Sequence, residues 1–407
     1  MKYLSVLCLG ILWGCGADDS LVEPSPTSGP TGGAGGQGGA GASGGAGGGG
    51  GMVECMREPP QYTLTAIDAR DLYGINDLGD AVGRNYEPTS DLFWTSLYLS
   101  ADRWGLPAGI HEPAMGQGVS NRAYAINDHG RMVGFMHEEN SLGVTLPYRY
   151  DVATANLEML QLLGGDFSGY AFDIDAQDRA VGQSIKQITN GVEVRAVVWD
   201  ASSVTDLGAI LDSTYLYANA IVPLDPAYAV VGAAYSSSFD RIHAWLWLSA
   251  AQRGFAADMT DLEPDDPPEI GSQALDMNSS FHVVGSRGER AALWSLGEDA
   301  CRRPGFNDLH DELPEDLLRL EASSVVNAIN ESNVAVGQVT YLDGLALVLE
   351  AIVWIGGYGY RLADLTDGDE FWELQAATAV NGSGVIVGWG IHNGDQAGQA
   401  FILTPTR

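Results

Sequence analysis

The sequence predicts an all-β fold: a seven-bladed β-propeller, four antiparallel strands per blade, closed by an N-terminal strand that completes the last blade. Three observations predict it. A turn-and-glycine motif recurs seven times. The copies are almost evenly spaced. One strand is spare before the first copy, and one is missing after the last.

The motif reads GINDLGDAVGR (Gly74–Arg84), AINDHGRMVGF (Ala125–Phe135), DIDAQDRAVGQ (Asp173–Gln183), PLDPAYAVVGA (Pro223–Ala233), DMNSSFHVVGS (Asp276–Ser286), AINESNVAVGQ (Ala328–Gln338) and AVNGSGVIVGW (Ala379–Trp389). Its glycines are Gly83, Gly134, Gly182, Gly232, Gly285, Gly337 and Gly388, spaced by 51, 48, 50, 53, 52 and 51 residues. Seven residues before each glycine stands Asn76, Asn127, Asp175, Asp225, Asn278, Asn330 or Asn381. Asn, Asp and Gly accept the backbone conformations of tight hairpin turns. The β-branched run that follows is strand chemistry. Each copy therefore reads as a hairpin. A glycine within its second strand marks a bulge or a close backbone approach, here expected against a neighbouring blade or the central channel.

A third strand follows each hairpin, as in AVVW (Ala196–Trp199), AALW (Ala291–Trp294) and AIVW (Ala351–Trp354). A fourth reads TDLG (Thr205–Gly208), TDLE (Thr260–Glu263), NDLH (Asn307–His310) or ADLT (Ala363–Thr366). Four strands per roughly 50 residues is the arithmetic of a propeller blade. The last copy stops after its third strand, at AFILTPTR, whereas YTLTAID (Tyr62–Asp68) precedes the first hairpin without a partner. Ring closure supplies the missing strand and removes exposed sheet edges.

The repeat resembles the bacterial HAF-type extracellular repeat family over about Tyr62 to Arg407, with copies one, two, six and seven matching best. That resemblance implies a propeller-like extracellular domain and no settled activity. Copies three and four depart from it, with Asp175 and Asp225 in place of Asn and no turn glycine.

Three segments are expected: a lipoprotein signal peptide over 1–14, a flexible tether over 15–60 and the propeller over 61–407. The apolar run Tyr3–Trp13 is too short to span a bilayer. It ends in Leu12-Trp13-Gly14-Cys15, which resembles a lipobox and implies acylation of Cys15. Gly16 stands where that resemblance would place an inner-membrane retention Asp, so the outer membrane or cell surface is expected. The Gly/Ala/Ser-rich stretch that follows behaves as a flexible coil, with a reach on the order of 35 Å.

The chain carries 53 acidic and 20 basic residues, a net charge of −33. Such a surface repels phosphate backbones, which argues against nucleic acid as a partner. No HExxH and no G-x-S-x-G elbow occurs, the glycine-rich tether being no strand-to-helix turn, so neither a zincin nor an α/β-hydrolase nucleophile is supported. The His129 side chain, in a hairpin turn, is expected at the surface. Cys55 and Cys301 are a possible disulfide. No cofactor is expected. Acidic turns, Asn76-Asp77, Asn127-Asp128, Asp265-Asp266 and Asp367-Gly368-Asp369-Glu370, offer oxygen ligands to Ca²⁺, but solvated turns explain them more simply. Trp199, Trp247, Trp294 and Trp354 recur with the repeat and read as inter-blade packing; Trp104, Trp372 and Trp389 are better ligand candidates. The expected function is a monomeric, membrane-tethered, non-catalytic module that binds a protein or glycan. A polysaccharide lyase or glycosidase with carboxylates at the channel mouth and a structural envelope protein are the alternatives.

Overall fold

A computed structural model describes residues 58–87, 92–115, 119–137, 143–210, 212–236, 241–263, 270–297, 302–367, 371–394 and 398–406. Cys15, Cys55, Cys301, Asp265, Asp266 and the 368–370 turn lie outside the described residues.

Strand β1 is Tyr62–Ile67. The first repeat forms β2 (Asp71–Ile75), β3 (Ala81–Glu87), β4 (Leu92–Leu99) and β5 (Gly109–His111). The second forms β6 (Asn121–Ile126), β7 (Arg131–His137), β8 (Thr145–Asp151) and β9 (Asn156–Met159). The third forms β10 (Ser168–Ile174), β11 (Ala180–Ile188), β12 (Gly191–Trp199) and β13 (Val204–Asp206), and the fourth β14 (Ser213–Leu224), β15 (Ala227–Ser236), β16 (Arg241–Leu248) and β17 (Asp258–Asp261). The fifth gives β18 (Ser272–Met277), β19 (His282–Arg287), β20 (Arg290–Ser295) and β21 (Gly305–Asp308). The sixth gives β22 (Ser323–Ile329), β23 (Ala335–Asp343), β24 (Ala346–Ile355) and β25 (Tyr358–Arg361), and the last β26 (Trp372–Val380), β27 (Ile386–His392) and β28 (Gln399–Pro405).

The fold is an all-β propeller, but seven separate four-stranded blades are not what the hydrogen bonds make. Five sheets are discrete and four-stranded; the third and fourth repeats join into one eight-stranded sheet. The link is a parallel bridge, Val194↔Tyr215, between β12 and β14. Its cause is local. Strand β13 pairs only with Val197–Trp199 and leaves the rest of that edge of β12 open. An open edge is a template for pairing, and the long β14 takes it. Strand β1 pairs antiparallel with β28, from Tyr62↔Pro405 to Ile67↔Ala400. The first strands of the hairpins are neighbours in a closed ring, β2, β6, β10, β14, β18, β22, β26 and back to β2.

The repeat glycines have a single cause. Each first strand is bulged, at Tyr73, Tyr124, Phe172, Asn219, Leu275, Asn327 or Thr378. The bulge drives a carbonyl toward the second strand. A Cβ on Gly83 would lie 2.0 Å from the Asp71 oxygen, and one on Gly337 2.0 Å from the Val325 oxygen. Gly134, Gly182, Gly232, Gly285 and Gly388 meet the same obstacle at 1.8–2.0 Å. The close approach is therefore to each glycine's own partner strand, which corrects the expectation of a neighbouring blade or the channel.

The repeat asparagines do two jobs. Their Oδ1 accepts turn amides, as from Ser332 and Val334 at Asn330. Their Nδ2 donates to the carbonyl of the next repeat's turn residue: Asn76 to Asn127, Asn127 to Asp175, Asn278 to Asn330, Asn330 to Asn381 and Asn381 to Asn76, at 2.8–3.1 Å. A carboxylate cannot donate such a bond. Asp175 keeps the turn-capping half, accepting from the Gln177 and Arg179 amides, and binds the Arg179 guanidinium instead. Asp225 lies at the tip of a hairpin running on to Leu224↔Ala227, so Val222 occupies the place the asparagines hold elsewhere. The Asp225–Pro226 peptide is cis.

Apolar clusters fill the spaces between adjacent sheets. Trp199, Trp245, Trp294 and Trp354 are almost fully buried. Trp354 packs with Leu309, Leu313, Leu317 and Val326 and donates to the Leu309 carbonyl at 2.9 Å. Trp247 is only part-buried and stacks near Tyr228, so in the fourth repeat Trp245 is the fully enclosed indole.

Candidate functional site

The asparagine turns mark one face of the ring. The first strands begin at the opposite face, where Arg70, Arg84 and Arg122 converge on the Phe93 ring. Their guanidinium carbons lie 5.8, 4.4 and 5.7 Å from its centroid. Phe93 opposes Tyr86 across β3 and β4, with centroids 5.0 Å apart, and Arg70 also covers Tyr86 at 5.3 Å. Guanidinium planes are suited to this stacking because they are weakly hydrated and delocalised.

Asp71 sits beside Arg84, within β2's first turn of ladder. Its Oδ2 accepts from Arg84 Nε at 2.6 Å and from the Tyr73 hydroxyl at 3.1 Å. Arg70 has ring contacts but, among the described residues, no ion pair or side-chain hydrogen bond. Burial pushes the Tyr124 phenol up to about 12 and Tyr73 higher still, with Asp71 adding to the latter. Both hydroxyls therefore stay protonated at neutral pH and remain donors.

An aromatic row extends from this cluster along three neighbouring first strands. Tyr73 and Tyr124 lie 5.5 Å apart, and Tyr124 and Phe172 5.4 Å. Phe135 and Tyr170 pack against the row, with Arg122 over Phe135 at 5.3 Å. Tyr170, Phe172, Phe93 and Arg70 are part-exposed, whereas Tyr73, Tyr124, Phe135 and Arg122 are buried. The far side of the ring differs in kind. There Asn219, Asn327 and Thr378 occupy the bulge positions and donate to the Ala274, Ala377 and Leu72 carbonyls.

Two carboxylates also line the first strands. Asp173 Oδ2 accepts from the Ile221 amide and Asp276 Oδ2 from the Ile329 amide, each at 2.8 Å. Burial raises their pKa values to about 7 and about 8. Both bonds tie one repeat to the next.

The residues singled out from the sequence fall elsewhere. Asp77 and Asp128 are engaged between turns: Asp77 Oδ1 accepts from the Gly382 amide and Asp128 Oδ1 from the Asp77 amide. The His129 side chain is 59% exposed, 3.4 Å from Asp178. Trp104 packs under Gly130, where an added Cβ would meet its ring at 2.6 Å. Trp372 stacks on His392 at 4.6 Å. Sequence reading missed the arginine cluster. Its one signal was the residue three before the turn position, which reads Tyr73, Tyr124 and Phe172 in successive copies.

No protein-family model matches this chain, and no curated protein matches it. Solved structures do. A chain from a study of two prolyl endopeptidases superposes with a TM-score of 0.50 at 10% identity, over 85% of this chain and 51% of that one. A puromycin hydrolase variant gives 0.46 at 11% identity, over 83% of this chain and 51% of its own. The propeller domain of the trilobed protease from Pyrococcus furiosus gives 0.48 at 8% identity, over 84% and 93%. The chain thus spans about half the length of the first two. At these identities the likeness concerns the fold.

Proposed function

We propose that this protein is an extracytoplasmic β-propeller held at a membrane through an acylated Cys15, and that it is a non-catalytic binding module for a protein or glycan. One observation carries the reading: three guanidinium groups gathered on one aromatic ring at a ring face of a molecule with net charge −33. Arginine and tyrosine are the residues that dominate binding hot spots. The rest of the repeat serves the ring itself, through turn asparagines, close-approach glycines and buried indoles. The cluster is the place where the regular pattern is exceeded.

The test is retention of the full-length protein on a glycan array and on envelope protein fractions, with product assayed in parallel. Retention without product, weakened by Arg70→Gln, is the expected result. Released product would replace this reading with the lyase or glycosidase one. Retention indifferent to Arg70 would move the site elsewhere. Palmitate labelling in the producing cell should vanish in Cys15→Ala; persistence would remove the anchor.

A further inference from the structure

The charge at the cluster narrows the ligand. We infer that the ligand is a glycan bearing uronate carboxylates, and that one carboxylate docks on Arg70 and Arg84 beside Phe93. This rests on the binding reading above.

Three cations share one phenyl ring at 4.4–5.8 Å, so they repel one another at short range. Arg84 is ion-paired with Asp71, and Arg70 beside it has no ion pair among the described residues. The chain carries 53 acidic against 20 basic residues, so scarcity of acidic residues does not explain the arrangement. Arg84 offers only its Nε to Asp71 in the recorded bond, which leaves the terminal nitrogens of a fork suited to a second carboxylate. Arg70 is part-exposed, held over two rings, and spends none of its donors on an ion pair or side-chain hydrogen bond among the described residues. A guanidinium ordered by stacking loses less entropy when it binds an anion.

The neighbouring rings select a sugar over an acidic peptide. Tyr170 and Phe172 lie nearly parallel, 9° apart with centroids at 6.0 Å, and both are part-exposed. Flat aromatic faces beside a carboxylate clamp match a pyranose ring, which presents C–H groups on one face and a carboxylate at its edge. The clamp belongs to the first repeat and the two rings to β10 of the third, with Arg122 of β6 and Phe135 of β7 bridging them through Phe93 and Tyr170, so an oligosaccharide of several residues spans both.

The experiment titrates the full-length protein with tetramers of galacturonate, glucuronate-containing and mannuronate-containing oligosaccharides, their methyl esters, and a tetraglutamate peptide. At least one free uronate should bind, with affinity at least tenfold above its methyl ester and falling as salt rises. Arg70→Gln should weaken it about tenfold, one charge-assisted contact, with the unfolding midpoint unchanged. Equal binding of ester and acid would overturn the carboxylate inference while leaving the binding module standing. Tighter binding of the peptide would overturn the glycan. Binding of none of the three uronates, with array retention elsewhere, would overturn this inference alone.

Discussion

The arc running from the fifth repeat through the closure to the second differs from the arc between the third and fourth. In the first, asparagine side chains pass hydrogen bonds from turn to turn: Asn278, Asn330, Asn381, Asn76 and Asn127. Each sheet there is discrete. In the second, Asp175 has no amide to donate and Val222 holds the equivalent place in the fourth repeat, so the chain of amide donors stops, and the two repeats fuse by backbone pairing. Asp173 adds a carboxylate bond across the same junction. The contrast teaches that neighbouring repeats need a polar link near the ring interior but not a particular one. A donor lost from the turn is offset by a strand lengthened at the other end.

Four measurements sharpen or break that contrast. The largest effect falls on packing. Trp354→Ala should cost about 4 kcal/mol, because the indole is 1% exposed and its Nε1–H bond is lost with it. Trp247→Ala, at a part-buried indole of the fused sheet, should cost about 1–2 kcal/mol. Equal denaturation midpoints for the two variants would erase the difference between the arcs.

The second concerns pH. Folded Asp173 stays protonated up to about 7 because burial disfavours its charge, with Asp175 as a further like charge nearby. In the unfolded chain it ionises near 4. Its contribution is thus complete below about pH 4 and lost as pH rises toward 7, on the order of 2–3 kcal/mol after allowance for partial exposure. Asp173→Asn should flatten the stability profile across that window. An unchanged slope would remove the carboxylate from the junction's energetics. Asp276 extends the same trend toward pH 8.

The third is Asn330→Asp. It keeps the turn acceptor, removes the donor to Asn381 and should cost about 2 kcal/mol by urea denaturation. The smallest effect belongs to the reverse exchange. Asp175→Asn gives up the Arg179 pair and regains a donor, so it should stay within about 1 kcal/mol of the parent. A larger loss from Asp175→Asn than from Asn330→Asp would invert the comparison.

The propeller class, the hairpins and their turns were legible in the sequence because each depends on neighbours in the chain. What depends on strand length was not. The fusion of two sheets follows from β13 being three residues long and β14 twelve, which no motif announces. Half of the asparagine's role was legible: turn formation is local, whereas the donor reaches a carbonyl 48 to 52 residues away, or 305 at the closure. The glycine's obstacle was legible as a close approach, though not as a bulge in its own partner strand. The arginine cluster was illegible because Arg70, Arg84, Phe93 and Arg122 belong to unrelated positions of two repeats. Only the fold brings them to one ring.

The antiparallel pairing of β1 with β28 fixes how the molecule takes mechanical load. Tyr62 stands at the asparagine-turn face and Ile67 at the face that holds the arginines. A pull between residue 58 and something gripped at the arginines therefore runs along the strand. The ladder's hydrogen bonds are strained together in shear, and none is unzipped ahead of the rest.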